Sequence, residues 1–137
     1  MREILFRAKR VDTGEWVTGY YVNGDFTGGN NTRHYIFVYP NTYYEIYTET
    51  ICTYTGMTDK NGQKIWENDI LVAHLDENYP EDETYKQVIW HESGFCTMEN
   101  GSDDMEPLDE FDTKNFAVCG NIFDNAELLE RKESENE

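Results

Sequence analysis

Trp16-Val17-Thr18-Gly19-Tyr20-Tyr21-Val22-Asn23-Gly24 decides the fold class. β-Branched and aromatic residues crowd the stretch, and it ends in Asn-Gly, a dipeptide that readily takes positive φ in a tight turn. Upstream, Ile4, Phe6 and Ala8 alternate with Leu5, Arg7 and Lys9, and Asp12-Thr13-Gly14 joins the two segments as a turn. Together they read as a hairpin. Downstream, a Gly/Asn loop at 28–31 leads to an extended segment from His34 to Tyr39, which Pro40 stops because it has no N–H for a ladder. A further extended run is predicted over Tyr44–Tyr54. Asn61-Gly62 predicts another turn, and Ile70-Leu71-Val72-Ala73 is apolar at both parities, as a central strand would be. Strands are also predicted over Tyr85–His91, Phe95–Glu99 and Phe116–Cys119. The stretch 100–115 reads as loop or a short helix beginning near Pro107, and Asp124-Asn125-Ala126-Glu127 as a capping box opening a helix to about Lys132.

The expected fold is therefore mainly β, a barrel-like or rolled antiparallel sheet with a short C-terminal helix. An SH3-like C-terminal half is an expectation from fold-level analogy alone. One domain is expected over 1–132, divisible into an N-terminal β subdomain (1–55) and a C-terminal barrel-like part (56–123), with 133–137 as a frayed acidic tail. Phe6, Trp16, Ile65, Ile70, Val72, Val88, Val118 and Ile122 are the expected core.

Charge is distributed unevenly. Residues 1–72 hold nine acids and seven bases, whereas 73–137 hold nineteen acids and four bases, giving −2 and −15 of the total −17. Thirteen acids lie from Asp76 to Asp112, where Lys86 is the only base. Such a field repels phosphates and attracts basic surfaces, so direct nucleic-acid binding is not expected. No apolar stretch approaches the length of a bilayer span, and the N-terminus alternates like a strand, not like a leader peptide. A cytoplasmic protein without membrane partners is expected. Cys52, Cys96 and Cys119 are odd in number and far apart, which predicts buried reduced thiols and no zinc or redox motif.

No catalytic constellation emerges. His91-Glu92 would need a second histidine where Phe95 stands. Asp59, Asn61 and Gly62 echo a calcium loop, but the glycine falls at the fourth position, not the sixth, so a turn is the better reading. The glycines form no phosphate-binding fingerprint, and Ser93 lacks the flanking glycines of a nucleophile elbow. With nineteen acids in the second part, paired carboxylates arise by chance and carry no signal. No catalytic residue, metal site or cofactor is therefore assigned.

Two surface features remain. Six tyrosines lie between Tyr35 and Tyr54, a density that suits either recognition or cross-strand packing. The other feature is the acidic segment.

Residues Tyr54-Thr55-Gly56-Met57-Thr58-Asp59-Lys60-Asn61-Gly62-Gln63-Lys64-Ile65-Trp66-Glu67-Asn68-Asp69-Ile70 resemble the signature of the YopX family, small proteins of bacteriophages and prophages. The opening Leu5-Phe6-Arg7-Ala8-Lys9, with Gly14-Glu15-Trp16-Val17 and Gly19-Tyr20, is similar to the family's start. The close, Val118-Cys119-Gly120-Asn121-Ile122-Phe123-Asp124-Asn125-Ala126-Glu127-Leu128-Leu129, resembles its end. Asn68 stands where the family usually has glycine, and Ala126 where it usually has proline. The resemblance implies a phage or prophage origin and a β-rich fold, and it brings no catalytic residues.

The expected function is that of a phage accessory protein binding a host or phage protein, itself basic or nucleic-acid-binding, as a nucleic-acid mimic or defence inhibitor. The expected contact residues are Glu81, Asp82, Glu83, Asp103, Asp104, Glu106, Asp109, Glu110, Tyr43 and Tyr44. The alternatives are a small-molecule binder or small enzyme with an aromatic-lined pocket, and a phage structural or assembly adaptor.

Overall fold

The computed structural model describes residues 3–25, 28–29, 31–75, 78 and 82–134, with the side chains of 131–134 excepted. The protein is mostly β, its strands pair antiparallel, and the chain divides into two compact units, Met1–Tyr54 and Thr55–Glu137.

In the N-terminal unit the predicted hairpin forms. Strand β1 (Phe6–Lys9) pairs with β2 (Trp16–Gly24), β2 with β3 (Arg33–Val38), and β3 with β4 (Thr42–Glu45), while β5 (Cys52–Thr58) lies along the other edge of β1. Gly19 is required by close approach, since a Cβ there would lie 2.2 Å from the Phe37 carbonyl oxygen. The register sets Ala8 opposite Val17, and Ile36 opposite both Tyr21 and Tyr44. This parity gathers Phe6, Ala8, Val17, Tyr21, Ile36, Val38, Ile46 and Ile51 into one core.

The same register overturns the expectation for Trp16. It pairs with Lys9, on the face away from Ala8, and lies half-buried beneath the Arg7 guanidinium (4.7 Å) and the Lys9 ammonium (5.5 Å). Cation–π contact, not core packing, holds it. The extended run predicted over Tyr44–Tyr54 is also interrupted. A 3-10 turn at Thr48–Thr50 breaks it, where Thr50 Oγ1 donates to the Tyr47 carbonyl (2.6 Å) and accepts from the Lys9 amide (2.9 Å). Threonine hydroxyls compete with ladder bonds in this way.

The later residues of β5 belong to the C-terminal unit, where they pair with β6 (Lys64–Trp66). The turn between them is tied by Asp59, whose carboxylate is almost completely buried. Its Oδ1 accepts from the amides of Asn61 (2.8 Å) and Gln63 (2.9 Å), and its Oδ2 from the amide of Val118 (2.8 Å). Backbone donors thus sit where a cation would have to, and the turn reading holds over the calcium reading. Gly62 has φ +83° with open space around it, so any penalty for a side chain there comes from backbone strain alone. Gly62→Val should lower stability by about 1–3 kcal/mol in a denaturant titration. Asn68 occupies the left-handed region at φ 71°, which explains why asparagine can stand in for glycine. Asn68→Gly should leave the midpoint unchanged or slightly raised.

Asp69 Oδ2 accepts from the Trp66 amide (2.7 Å) and opens β7 (Asp69–Ala73), buried at nearly every position as predicted. Strands β8 (Thr84–His91), β9 (Gly94–Glu99), β10 (Met105–Pro107) and β11 (Ala117–Asn121) complete a sheet in the order β10-β9-β8-β7-β11. Its two ends stay unpaired to each other among the described residues, so of the two expected forms the sheet is open, not a closed barrel. Ile65, Leu71, Ala73, Val88, Leu108 and Phe116 form the core on one face, with Met57, Phe95 and Val118 packed against it. Ile65, Ile70 and Val88 are fully buried as expected, whereas Val72 and Ile122 are only half-buried.

Two helices are described. Helix α1 (Glu110–Asn115) carries the reciprocal capping box: Asp109 accepts from the amides of Phe111 and Asp112, and Asp112 accepts from the Asp109 amide. Helix α2 (Glu127–Ser134) is the expected C-terminal helix, running two residues past Lys132. Residues 135–137 of the expected tail lie outside the described residues.

Candidate partner-binding surface

On the core-bearing face of the C-terminal sheet, the apolar rows give way to polar ones. Along β8 that face passes from Val88 to Lys86 to Thr84, and along β9 from Phe95 to Thr97 to Glu99. The register sets Lys86 opposite both Leu71 and Glu99, and Thr97 opposite both Val88 and Glu106. Where the rows turn polar, a concavity of about 270 Å³ opens, lined by Thr84, Lys86, Thr97, Glu99, Asp104 and Glu106 among others.

Lys86 is spent internally. Its ammonium bonds Asp112 Oδ1 at 3.0 Å, with side-chain exposures of 11% and 3%, and it lies 4.8 Å from the centre of the Phe116 ring. The only base between Asp76 and Asp112 therefore pairs with a buried helix residue and not with the exposed acids around it.

The expected contact residues divide between the units. Tyr43 and Tyr44 belong to the N-terminal unit. Tyr43 is 55% exposed and packs edge-on or tilted against Tyr35 (6.4 Å) and Phe37 (5.0 Å). Tyr44 is half-buried beneath the Arg10 guanidinium (4.1 Å), which also bonds Asp12 and holds that carboxyl below its ordinary value. Much of the tyrosine density is thus cross-strand and cation–π packing. The acids belong to the C-terminal unit, except that Glu81 lies outside the described residues. Asp82, Glu83, Asp103, Asp104 and Glu106 are exposed, and Asp104 and Glu106 share the concavity with Glu99, which sequence reasoning had not singled out. Glu83 accepts from the Tyr85 hydroxyl and lies 3.8 Å from His74 Nε2. Asp109 is occupied as a helix cap, and Glu110 pairs with Lys114 one turn on at 2.8 Å.

The histidines stay dispersed: His34 bonds the Tyr21 hydroxyl, and His91 lies 3.7 Å from its neighbour Glu92. Among the described residues no three His, Cys, Asp or Glu side chains converge as metal ligands.

The cysteine expectation needs correction. All three are free thiols, but only Cys52 is buried; Cys96 is half-buried and Cys119 exposed. Cys119 falls at the register shift between Val118 and Gly120, where an irregular ladder cannot tuck every side chain inward. Its sulfur nevertheless donates to the Ile70 carbonyl at 3.4 Å, and desolvation, reinforced by the Glu83 and Asp69 charges, pushes the thiol up to about 11. Because the thiolate reacts, iodoacetamide at neutral pH should label Cys119 roughly 100-fold more slowly than a free cysteine, with the rate still climbing above pH 9. Peptide mass mapping of the alkylated protein checks this.

The family model described as YopX protein matches residues 5–130. The chain belongs to the YopX family. It is also similar to a solved structure, the crystal structure of protein EF1440 from Enterococcus faecalis, at 20% identity and a TM-score of 0.54, over 94% of this chain and 99% of that one. At that identity the likeness speaks for the fold. No curated protein matches the chain. Within the YopX frame, the opening Leu5–Gly19 block builds the first hairpin. The signature and the close meet through Asp59 on the Val118 amide and the Asn68 carbonyl on the Ile122 amide (3.0 Å). These motif residues hold the fold together. No helix among the described residues is long and apolar enough to cross a membrane.

Proposed function

We propose that this YopX-family chain is a phage or prophage accessory protein that binds a basic protein in the bacterial cytoplasm through the acidic face of its C-terminal unit. A nucleic-acid-binding protein whose phosphate site it mimics is the natural partner. The observation that carries this reading is the fate of Lys86: the lone base of the acidic segment is buried against Asp112, while Asp82, Glu83, Asp103, Asp104 and Glu106 remain exposed. Unrelieved like charge costs stability, and a Lys- or Arg-rich partner would relieve it while speeding encounter. Tyr43 offers a second, aromatic contact on the N-terminal unit, with Tyr44 beside it in the strand.

The test compares the wild type with a variant neutralised at Glu81, Asp82, Glu83, Asp103, Asp104 and Glu106 by amide substitution. Asp109 is spared because it caps α1. At low salt the wild type should capture a basic bacterial protein that duplex DNA displaces, and the folded variant should not. Equal capture by both, or indifference to DNA, would remove the reading.

A further inference from the structure

Strand β9 alternates its side chains across the sheet. Phe95, Thr97 and Glu99 take the core-bearing face, which leaves Cys96 and Met98 on the other. On that face Cys96 lies between Ile89 of β8 and Pro107 of β10, and Met98 between Gln87 and Met105. The Leu108 amide donates to the Phe95 carbonyl (3.0 Å), and hydrogen-bonded pairs alternate with non-bonded ones from there along the ladder. Met98 and Met105 therefore form a non-hydrogen-bonded pair, the closer kind, with Cα atoms about 4.5 Å apart. Cys96 stands two residues along from Met98, about 7 Å away. One thiol and two thioethers thus share a patch two strands wide. No local motif announces it, because the register across β9 and β10 brings the sulfurs together.

The chemistry of the donors selects the ligand. Zinc takes thiolate, imidazole and carboxylate ligands, and calcium and magnesium take oxygen. Among the described residues no three His, Cys, Asp or Glu side chains gather to serve those ions. Thiolate and thioether together are soft ligands that favour monovalent copper. The surroundings suit it too. Ile89 and Pro107 wall the thiol with apolar surface, while Met105, 40% exposed, leaves the patch open to an entering ion. The Cys96 thiol forfeits little on losing its proton, because its hydrogen bond to the Gly94 carbonyl is long, at 4.0 Å. The rotatable bonds of each methionine let the thioethers converge without moving the strands.

We propose that Cys96, Met98 and Met105 form a copper(I) site on the face of the C-terminal sheet opposite its core. A sulfur–copper bond forms at Cys96 as its S–H bond breaks, and the proton passes to water. The two thioethers donate lone pairs, and no atom changes oxidation state. The proposal does not depend on the reading of the acidic face.

The test is an anaerobic copper(I) titration of the full chain in competition with bicinchoninate, with the methionine methyl groups isotope-labelled for NMR. Cys119 is replaced by serine so that its exposed thiol takes no metal, and Cys52 is buried. One copper(I) per chain should bind. The Met98 and Met105 methyl signals should shift together, while Met57, packed against the core, stays unmoved. Met98→Leu combined with Met105→Leu should weaken binding at least about 10-fold, with the thermal midpoint of the metal-free protein nearly unchanged. Cys96→Ser should weaken it further. Undiminished affinity in the leucine variant, unshifted Met98 and Met105 methyl signals, or displacement of the copper by equimolar zinc would overturn the proposal.

Discussion

Replacing Asp59 by alanine should cost the protein about 4 kcal/mol, one of the two largest losses expected from a single polar residue. Its carboxylate is 5% exposed and receives three backbone amides, two from its own turn and one from Val118, 59 residues along the chain. A hydrogen bond to a charged group is worth about 1.5–3 kcal/mol, and removing the acceptor also leaves buried N–H groups unsatisfied. Against a typical domain stability of about 5–15 kcal/mol, such a loss leaves the fold marginal. Asp59→Asn should fall between the two, because its amide oxygen can still serve one side of the site while its NH2 opposes a donor on the other. Urea titration measures both variants. A loss for Asp59→Ala below about 1 kcal/mol would show that the turn does not depend on this carboxylate.

Removing Lys86 is the second large effect. Lys86→Met keeps most of the apolar stem but strands the Asp112 carboxylate at 3% exposure, and breaking a buried pair in this way costs about 3–5 kcal/mol. The double variant Lys86→Met with Asp112→Asn should recover a large part of that loss. No charge is then left buried, and the amide oxygen can still accept from the Asp109 amide, as Asp112 Oδ2 does at 3.1 Å. The full double-mutant cycle separates the pair from the cap. Additive single losses would contradict a direct buried pair.

What the sequence made legible is what depends on near neighbours. Alternation over Ile4–Lys9 and the β-branched and aromatic run Trp16–Val22 predicted the first hairpin, the all-apolar run at 70–73 predicted a buried strand, and Asn61-Gly62 predicted a positive-φ turn. Trp16 was misplaced because the run from Trp16 to Val22 carries apolar residues at both parities, and only pairing with β1 decides which parity faces Ala8. The break at Thr48–Thr50 depends on a bond from Thr50 to the Lys9 amide, 41 residues away. The candidate site was legible as charge but not as geometry. Nothing local to Lys86 announces Asp112, and nothing local to Thr97 announces that it lines one concavity with Asp104 and Glu106. Tyr43 and Tyr44 stood out by density, but neighbouring strands supply the aromatic and cationic partners that account for much of it.

Capture through the acidic face is tested most directly by the affinity of the purified chain for its basic partner, measured between about 50 and 300 mM salt, where screening length changes most usefully. The wild type should lose affinity steeply as salt rises, while the variant neutralised at Glu81, Asp82, Glu83, Asp103, Asp104 and Glu106 should bind weakly with a nearly flat salt dependence. Equal affinities and equal salt slopes for the two folded proteins would contradict it.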